Sequence, residues 1–150
     1  MQNEFDIIEN LVKTLGSIKQ GVQVNDFLGA PYVYNFTPGI VSSDFQLWTT
    51  VKAFPAYFVN SGDTGYEWFP SRRVKSTANI SITIYVYHTH DVEKMLHRAV
   101  QDVIVAMMQD VTRGGVATAT FPQICAKETR RYVPYGLAEI KSVVLYHTGA

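Results

Sequence analysis

Three histidines and an aspartate stand close together in this sequence and are the residues best suited to chemistry. His88, His90 and Asp91 lie within four consecutive positions, and His97 follows six residues after Asp91. Imidazole nitrogens and carboxylate oxygens are ligands that zinc prefers, so the cluster could form a small metal site. The local pattern argues against it, because Asp91 stands where a helix would begin and His90 falls in the preceding turn. So short a turn rarely brings three rings to one point, and the alternative is a polar strand end before a capped helix.

Other enzyme signatures are missing from the sequence. It contains no G-x-x-x-x-G-K-[ST], G-x-G-x-x-G, G-x-S-x-G or H-E-x-x-H motif. Cys125 is the only cysteine, and its apolar neighbours predict a small buried side chain. No feature places a histidine against this thiol, as a cysteine nucleophile would require. The sequence therefore predicts a protein that is not an enzyme and binds no cofactor.

Composition bounds the class of protein. The 150 residues are 47% apolar and 17% charged, which fits one domain over residues 1–150 with a sizeable core. Thirteen Lys and Arg balance thirteen Asp and Glu, so a partner recognised through long-range charge, such as nucleic acid, is disfavoured. The acidic N-terminus is unlike a secretory signal, and no apolar run is long enough to cross a bilayer. We expect a chain that folds in a cytoplasm, without a membrane partner.

Two amphipathic helices are predicted from apolar residues at three- and four-residue spacing. The first covers about residues 3 to 19, with Asn3 as its N-cap and Gly21 as its stop signal. The second begins after Asp91 and ends before the turn at Gly114–Gly115.

The outer side of the second helix carries one apolar residue that the pattern does not explain. Asp102 and Val105 are both placed on the polar side of this helix. An exposed Val105 gains nothing in an isolated domain, so we expect it to contact a neighbouring subunit.

Strands are predicted between and after the helices. Alternation is clearest from Asn79 to His88. The other strand candidates are Val51–Val59, Val116–Ala126, Leu137–Tyr146 and a weaker one through Tyr32–Tyr34. This order predicts an α+β fold, with a small, mainly antiparallel sheet and both helices on one face. The other face is expected to be partly wet or covered by another subunit.

Pro55 and Pro122 interrupt two of these strand candidates. Because proline cannot donate to a ladder, each marks an edge, a bulge or a strand boundary. Open edges of a small sheet are common starting points for pairing with another subunit.

The segment at about 60–77 combines turn formers with aromatic and basic residues. Its candidate contact residues are Tyr66, Trp68, Phe69, Arg72 and Arg73. A structureless loop this long is usually functional or disordered, and the aromatic content argues against disorder. We interpret it as an aromatic interaction loop; the alternative is a hairpin whose aromatic side chains fold back onto their own core.

Arg130 and Arg131 form the one local basic run together with Lys127. Their position between two strands predicts a solvated turn. The alternative is half of a salt-bridged contact with a neighbouring subunit.

The order of elements resembles the tail terminator family of long-tailed bacteriophages. The resemblance covers nearly the whole chain: the helix EFDIIENLVKTL, then PAYFV with a polar segment, the strand ISITIYVYH, the helix DVEKMLHRAVQDVIVAM, a GG turn and two closing strands. It implies a structural virion protein that forms a homohexameric ring on the tail tube. Such a ring stops tube polymerisation and docks the tail to the head-completion protein. The resemblance implies no catalytic residue and no cofactor.

Three alternatives remain. The first is another neck or tail protein, such as a head-completion adaptor or a tail tube protein. The second is a small zinc hydrolase built on the histidines. The third is a small-molecule or RNA-binding domain that stacks bases on Tyr85 and Tyr87.

Overall fold

The first helix, α1, spans Glu4–Gly16, and the residues around it explain both of its ends. The structure is a computed structural model that describes residues 3–70, 74–115 and 117–148. The Asn3 side chain accepts a hydrogen bond of 2.9 Å from the backbone N–H of Asp6, which confirms the predicted N-cap. The helix ends before the predicted stop at Gly21, which instead adopts a φ of 83° in the turn that follows.

A short hairpin and a three-residue strand follow. β1 spans Gln23–Asn25 and pairs antiparallel with β2, Pro31–Val33, as a separate two-stranded sheet. The weak strand predicted through Tyr32–Tyr34 is therefore confirmed for Tyr32 and Val33, whereas Tyr34 follows the strand. β3, Ile40–Ser42, begins the main sheet.

Four long strands and a second helix complete the chain. They are β4 (Ala56–Trp68), β5 (Val74–Tyr87), α2 (Val92–Met108), β6 (Ala119–Glu128) and β7 (Tyr135–Thr148). The strand order is β3-β4-β5-β7-β6, and among the described residues the β3–β4 pair alone is parallel. This confirms the α+β fold, but the sheet is larger than predicted: two strands have 14 residues, about 46 Å at ~3.3 Å per residue.

The two strand prolines lie at a boundary and at an edge. Pro55 directly precedes β4, so the strand predicted from Val51 begins at Ala56 instead. Pro122 lies in the edge strand β6, and the register shifts between Pro122 and Ile124. Both positions tolerate a nitrogen that cannot donate to a ladder.

Both helices pack on the same face of the sheet, as predicted. The main core combines Ile7, Leu11 and Leu15 of α1, Leu96, Val100 and Val103 of α2, and the inward residues of β5, Ile80, Ile82, Ile84 and Val86. The predicted alternation of β5 is thus what joins the sheet to the helices.

The opposite face of the sheet is covered at one end by the chain itself. Phe58 and Tyr85 form a second buried cluster there, against which Trp48 and Phe54 pack. The Tyr85 hydroxyl donates a hydrogen bond of 3.0 Å to the carbonyl oxygen of Gln46. This part of the face therefore needs no second subunit to exclude water.

The outward placement of Asp102 on α2 is wrong. Asp102 is fully buried, and its carboxylate accepts hydrogen bonds from the Tyr32 hydroxyl at 2.6 Å and the Phe36 N–H at 3.0 Å. The Asn35 backbone N–H and side-chain amide also donate to it. The segment 20–37, which we call the strap, therefore lies across the side of α2 that periodicity assigned to solvent.

Val105 is corrected for the same reason. It lies one helical turn after Asp102, is 5% exposed, and belongs to the main core. Its neighbour on the same side, Gln109, donates a hydrogen bond of 2.6 Å to the carbonyl oxygen of Asn25 in β1. Val105 is covered by its own chain and is not an exposed contact residue.

Neither α1 nor α2, nor any other helix in the described part of the chain, has the length and apolarity to span a membrane.

Candidate interaction surfaces

The segment predicted as an aromatic loop is a pair of long strands. β4 and β5 stay paired from Ala56 opposite Tyr85 to Trp68 opposite Val74, and β7 continues beside β5 as far as Thr148. We call residues 60–69 and 74–81 the aromatic arm. The loop interpretation is wrong because the turn formers of NSGDTG lie inside β4, where they form a bulge.

The aromatic side chains of the arm point to solvent. Trp68 is 75% exposed, and Tyr66 and Phe69 are also exposed. The alternative, in which these rings fold back onto the core, is therefore wrong. Arg72 and Arg73, the two basic candidates of this segment, lie outside the described residues.

One extra residue in β4 decides which way the arm's aromatic residues face. Ser61 pairs with Ile80 and Thr64 pairs with Ala78, so β4 advances three positions where β5 advances two. After this bulge, Tyr66 and Trp68 lie on the same face of the sheet as the helices.

Side-chain contacts tie the arm to the rest of the domain. The Thr64 hydroxyl donates a hydrogen bond of 2.9 Å to the carboxylate of Glu4, at the start of α1. The Asn79 amide donates one of 2.9 Å to the carbonyl oxygen of Asp63, within the bulge. The exposed rings are thus presented by an anchored element, which reduces the entropy lost when a partner binds.

The turn in the middle of the strap is a second exposed apolar feature, which the sequence did not lead us to predict. Residues 26–30, the strap tip, join β1 to β2 and leave Phe27 and Leu28 60% and 81% exposed. The Asp26 carboxylate accepts hydrogen bonds of 2.9 Å from the N–H groups of Leu28 and Ala30, which fixes the turn. A low charge density could have indicated this feature, because between Lys19 and Asp44 the sequence has one charged residue, Asp26.

Arg130 and Arg131 lie in the turn between β6 and β7, as predicted. The carboxylate of Glu128 accepts hydrogen bonds from both of their backbone N–H groups, at 3.0 and 2.9 Å. These bonds, that of Arg131 first, lower the pKa of Glu128 below its ordinary value. Both arginines are exposed. Whether they contact a neighbouring subunit stays a prediction.

The three histidines are not brought together. His88 Nδ1 accepts hydrogen bonds from the backbone N–H groups of His90 and Asp91, and His97 Nδ1 lies 3.4 Å from Lys127 Nζ. Asp91 holds the N-cap position, but its side chain makes no capping hydrogen bond. Within the described ranges, no three His, Cys, Asp or Glu side chains are grouped so that they could hold a metal ion.

The remaining chemical candidates have structural roles. Cys125 is partly buried against the main core, and this burial raises the pKa of its thiol. Tyr85 is buried in the second cluster, so the stacking face suggested for Tyr85 and Tyr87 does not exist. The ring of Tyr87 instead packs against Phe54 and Tyr135.

Comparison with known proteins identifies the family of the chain. No curated protein matched the chain. One family model, described as Bacteriophage Tail Tube Terminator Protein, matches residues 1–114, which include α1, the strap, the aromatic arm and α2. The chain therefore belongs to the bacteriophage tail tube terminator family and is a structural component of a phage tail.

Proposed function

We propose that this protein forms a ring of identical subunits, a hexamer, on the head-proximal end of the tail tube. The ring stops tube polymerisation and then docks the tail to the head-completion protein. Assembly takes place in the host cytoplasm, and the product is part of the virion. The family match over residues 1–114 carries this proposal.

The exposed surfaces of the subunit support assembly through apolar contact. The aromatic arm and the strap tip present large apolar side chains on anchored elements, and such surfaces are typical of protein contacts. Formal net charge is zero, so long-range repulsion between copies is small. A closed ring of identical subunits needs two different complementary patches on each subunit.

Within this proposal, the aromatic arm contacts the tube or a neighbouring subunit through Tyr66, Trp68 and Phe69. The basic turn at Arg130 and Arg131 supplies charge at a separate contact. Arg72 and Arg73 are candidates for the same arm contact on sequence grounds.

Electron microscopy of the purified protein, alone and with tail tubes, tests the proposal. We expect discrete rings, and tubes that no longer elongate once the protein is added to growing ends. Light scattering should give one defined multimer. Extended filaments of the protein alone would indicate a tube protein instead, and a strictly monomeric species that leaves tube growth unchanged would overturn the proposal.

A variant pair tests the role of the arm. Trp68→Ala combined with Phe69→Ala should leave the circular dichroism spectrum unchanged, because both side chains are exposed, and should abolish capping of tubes. Leu47→Ala, which truncates an exposed apolar residue outside both the arm and the basic turn, is the matched control and should cap normally. Equal capping by both variants would exclude the arm from the contact.

A further inference from the structure

We propose that the side chain of Arg130 in one subunit binds beside Glu4, at the base of the aromatic arm of the next subunit. The inference rests on the proposed ring and names a charged contact that closes it. The site thus takes a guanidinium group, and its occupant is a second copy of this chain.

The Glu4 carboxylate has one oxygen that nothing in the described part of the chain satisfies. Oε2 accepts the hydrogen bond of 2.9 Å from Thr64, whereas Oε1 is buried and has no hydrogen-bond partner among the described residues. No described Lys, Arg or His side chain forms an ion pair with Glu4. A carboxylate oxygen that is withdrawn from water and left unpaired is costly, so it favours a partner that brings a positive charge.

The residues around Glu4 supply further groups that suit a guanidinium. Tyr66, Ser76 and Tyr146 lie opposite one another on three adjacent strands, on the face that carries the helices. The Ser76 hydroxyl is buried and makes no hydrogen bond of normal geometry with a described residue. Burial raises the pKa of Tyr146, and the charge of Glu4 raises it further, as expected for a phenol close to this carboxylate. Two unsatisfied oxygens beside aromatic rings suit Arg better than Lys, because a guanidinium presents several donors in one plane and stacks on rings.

The site lies at the surface of the subunit. Tyr66, its outermost member, is 60% exposed, and Phe5, the residue after Glu4, is 72% exposed. Entry of a partner side chain therefore requires a surface ring to move and leaves the paired strands unchanged. Trp68 and Phe69, further along the arm, stay outside the site.

Arg130 is the arginine best placed to fill this site in another copy. Of the arginines that the structure describes, Arg98 is half-buried and Arg113 is buried, which leaves Arg130 and Arg131 exposed. The guanidinium of Arg131 lies 5.5 Å from the centre of the Tyr132 ring. Arg130 has no such ring contact within the described ranges, so its side chain is the one available to a partner.

The turn that carries Arg130 is already fixed for such a contact. The Glu128 carboxylate accepts the backbone N–H of Arg130 at 3.0 Å, which orders the turn. This carboxylate forms no ion pair within 4.0 Å with a described arginine. The Arg130 guanidinium therefore keeps its donors and its charge for a carboxylate on another subunit.

One subunit cannot fill its own site with this arginine. Arg130 lies in the turn before β7, which begins at Tyr135, whereas the site is at Tyr146, near the other end of the same strand. The distance along β7 between these two tyrosines is about 36 Å at ~3.3 Å per residue, far beyond the reach of an arginine side chain. A contact between opposite ends of one subunit is head-to-tail, which is the kind that generates a ring when the rotation closes.

Charge reversal in mixed copies tests this contact directly. Glu4→Lys alone and Arg130→Glu alone should each raise the dissociation constant of the multimer about tenfold or more, because each places like charges together. An equimolar mixture of the two variants should assemble again, since every contact then joins opposite charges. Glu9→Lys, which makes the same charge change at an exposed position of α1, is the control and should not restore assembly of Arg130→Glu.

A second measurement uses milder changes and does not depend on tolerance of Lys at position 4. Glu4→Gln and Arg130→Gln should each weaken assembly, and the double variant should weaken it no more than either single variant. Effects of the two changes that multiply would show that these side chains act at different contacts. Unchanged circular dichroism shows that the variants fold.

The outcomes separate this contact from the ring itself. Wild-type rings, with no restoration in the mixture and with independent effects of the Gln variants, overturn the Arg130–Glu4 contact and leave the ring standing. A wild type that stays monomeric and does not cap tubes overturns both.

Discussion

The carboxylate of Asp102, in the middle of α2, accepts a hydrogen bond of 2.6 Å from the hydroxyl of Tyr32, 70 positions earlier in the chain. Burial of Tyr32, and then this hydrogen bond, raises the pKa of the phenol above its ordinary value. The contact fastens the strap to the helix and positions the strap tip. A single acidic residue thus links the core of the domain to one of its exposed apolar features.

Removing this carboxylate should destabilise the domain strongly. Asp102→Ala removes the acceptor of the partly buried Tyr32 hydroxyl and of the N–H groups of Asn35 and Phe36, and it empties a fully buried position on α2. We expect a loss of about 3 kcal/mol in the free energy of unfolding, measured with urea. The neighbouring exposed residue gives the control: Gln101→Ala should cost less than about 0.5 kcal/mol. Equal losses for the two variants would contradict the buried role of Asp102.

A glycine at the start of the main sheet should not tolerate a side chain. A Cβ on Gly39 would lie 2.7 Å from the backbone carbon of Ala53 and 2.8 Å from the nitrogen of Phe54. Gly39→Ala should therefore cost about 1–3 kcal/mol in thermal or urea unfolding. Gly16→Ala is the matched control, because a Cβ there meets nothing within 4 Å and α1 gains a better helix former. The prediction fails if Gly39→Ala is as stable as the wild type.

The turn after α2 should make the free energy of unfolding depend on pH. The Thr112 hydroxyl, and then the Gly114 N–H, lower the pKa of Asp110 below its ordinary value. A carboxyl with a lowered folded pKa stabilises the fold above its unfolded pKa and loses this contribution as the pH falls through the folded pKa. Asp110→Ala should therefore lose about 0.5–1 kcal/mol at neutral pH, a small value because the carboxylate is exposed.

The two Asp110 proteins should converge in acid. Urea midpoints of the wild type and Asp110→Ala, measured from pH 7 down to about 2, should approach each other below about pH 4. A difference that stays constant over this range would show that the charge of Asp110 does not stabilise the turn.

The fluorescence of Trp68 should show whether the aromatic arm becomes buried on assembly. Trp48 packs against Tyr132 and Tyr135 at centroid distances of 5.1 and 4.7 Å, whereas Trp68 is exposed. In a Trp48→Phe variant the remaining emission comes from Trp68. We expect strong acrylamide quenching in the dissociated protein, and a blue shift with weaker quenching once rings or capped tubes form. Unchanged emission on assembly would show that Trp68 stays in water.

Local sequence signals predicted the parts of the fold that local structure decides. Asn3 was predicted as a cap because its side chain precedes an apolar period, and Ile80, Ile82 and Ile84 were placed on one face by simple alternation. Pro55 and Pro122 were placed at interruptions because the missing N–H acts at the residue itself.

The interaction surfaces were harder to predict because they depend on distant parts of the chain. The periodicity of α2 cannot show that a segment 70 positions away covers Asp102 and Val105. The turn formers near Gly62 also suggest a loop, whereas long pairing with β5 accommodates them as a bulge. Trp68 is exposed, as a contact residue must be, but it lies in a strand and not in the predicted loop, and its contact stays a prediction.

The extra residue in β4 gives this chain a simple way to change its choice of neighbour. Deleting one residue at Gly62 or Asp63 would restore the strict two-residue alternation along β4. Tyr66 and Trp68 would then lie on the face of the sheet opposite the helices, with the amino-acid composition of the arm almost unchanged. A one-residue insertion or deletion at this point would therefore move both aromatic side chains to the other face of the sheet. Most point substitutions would change the geometry of a contact with a partner less.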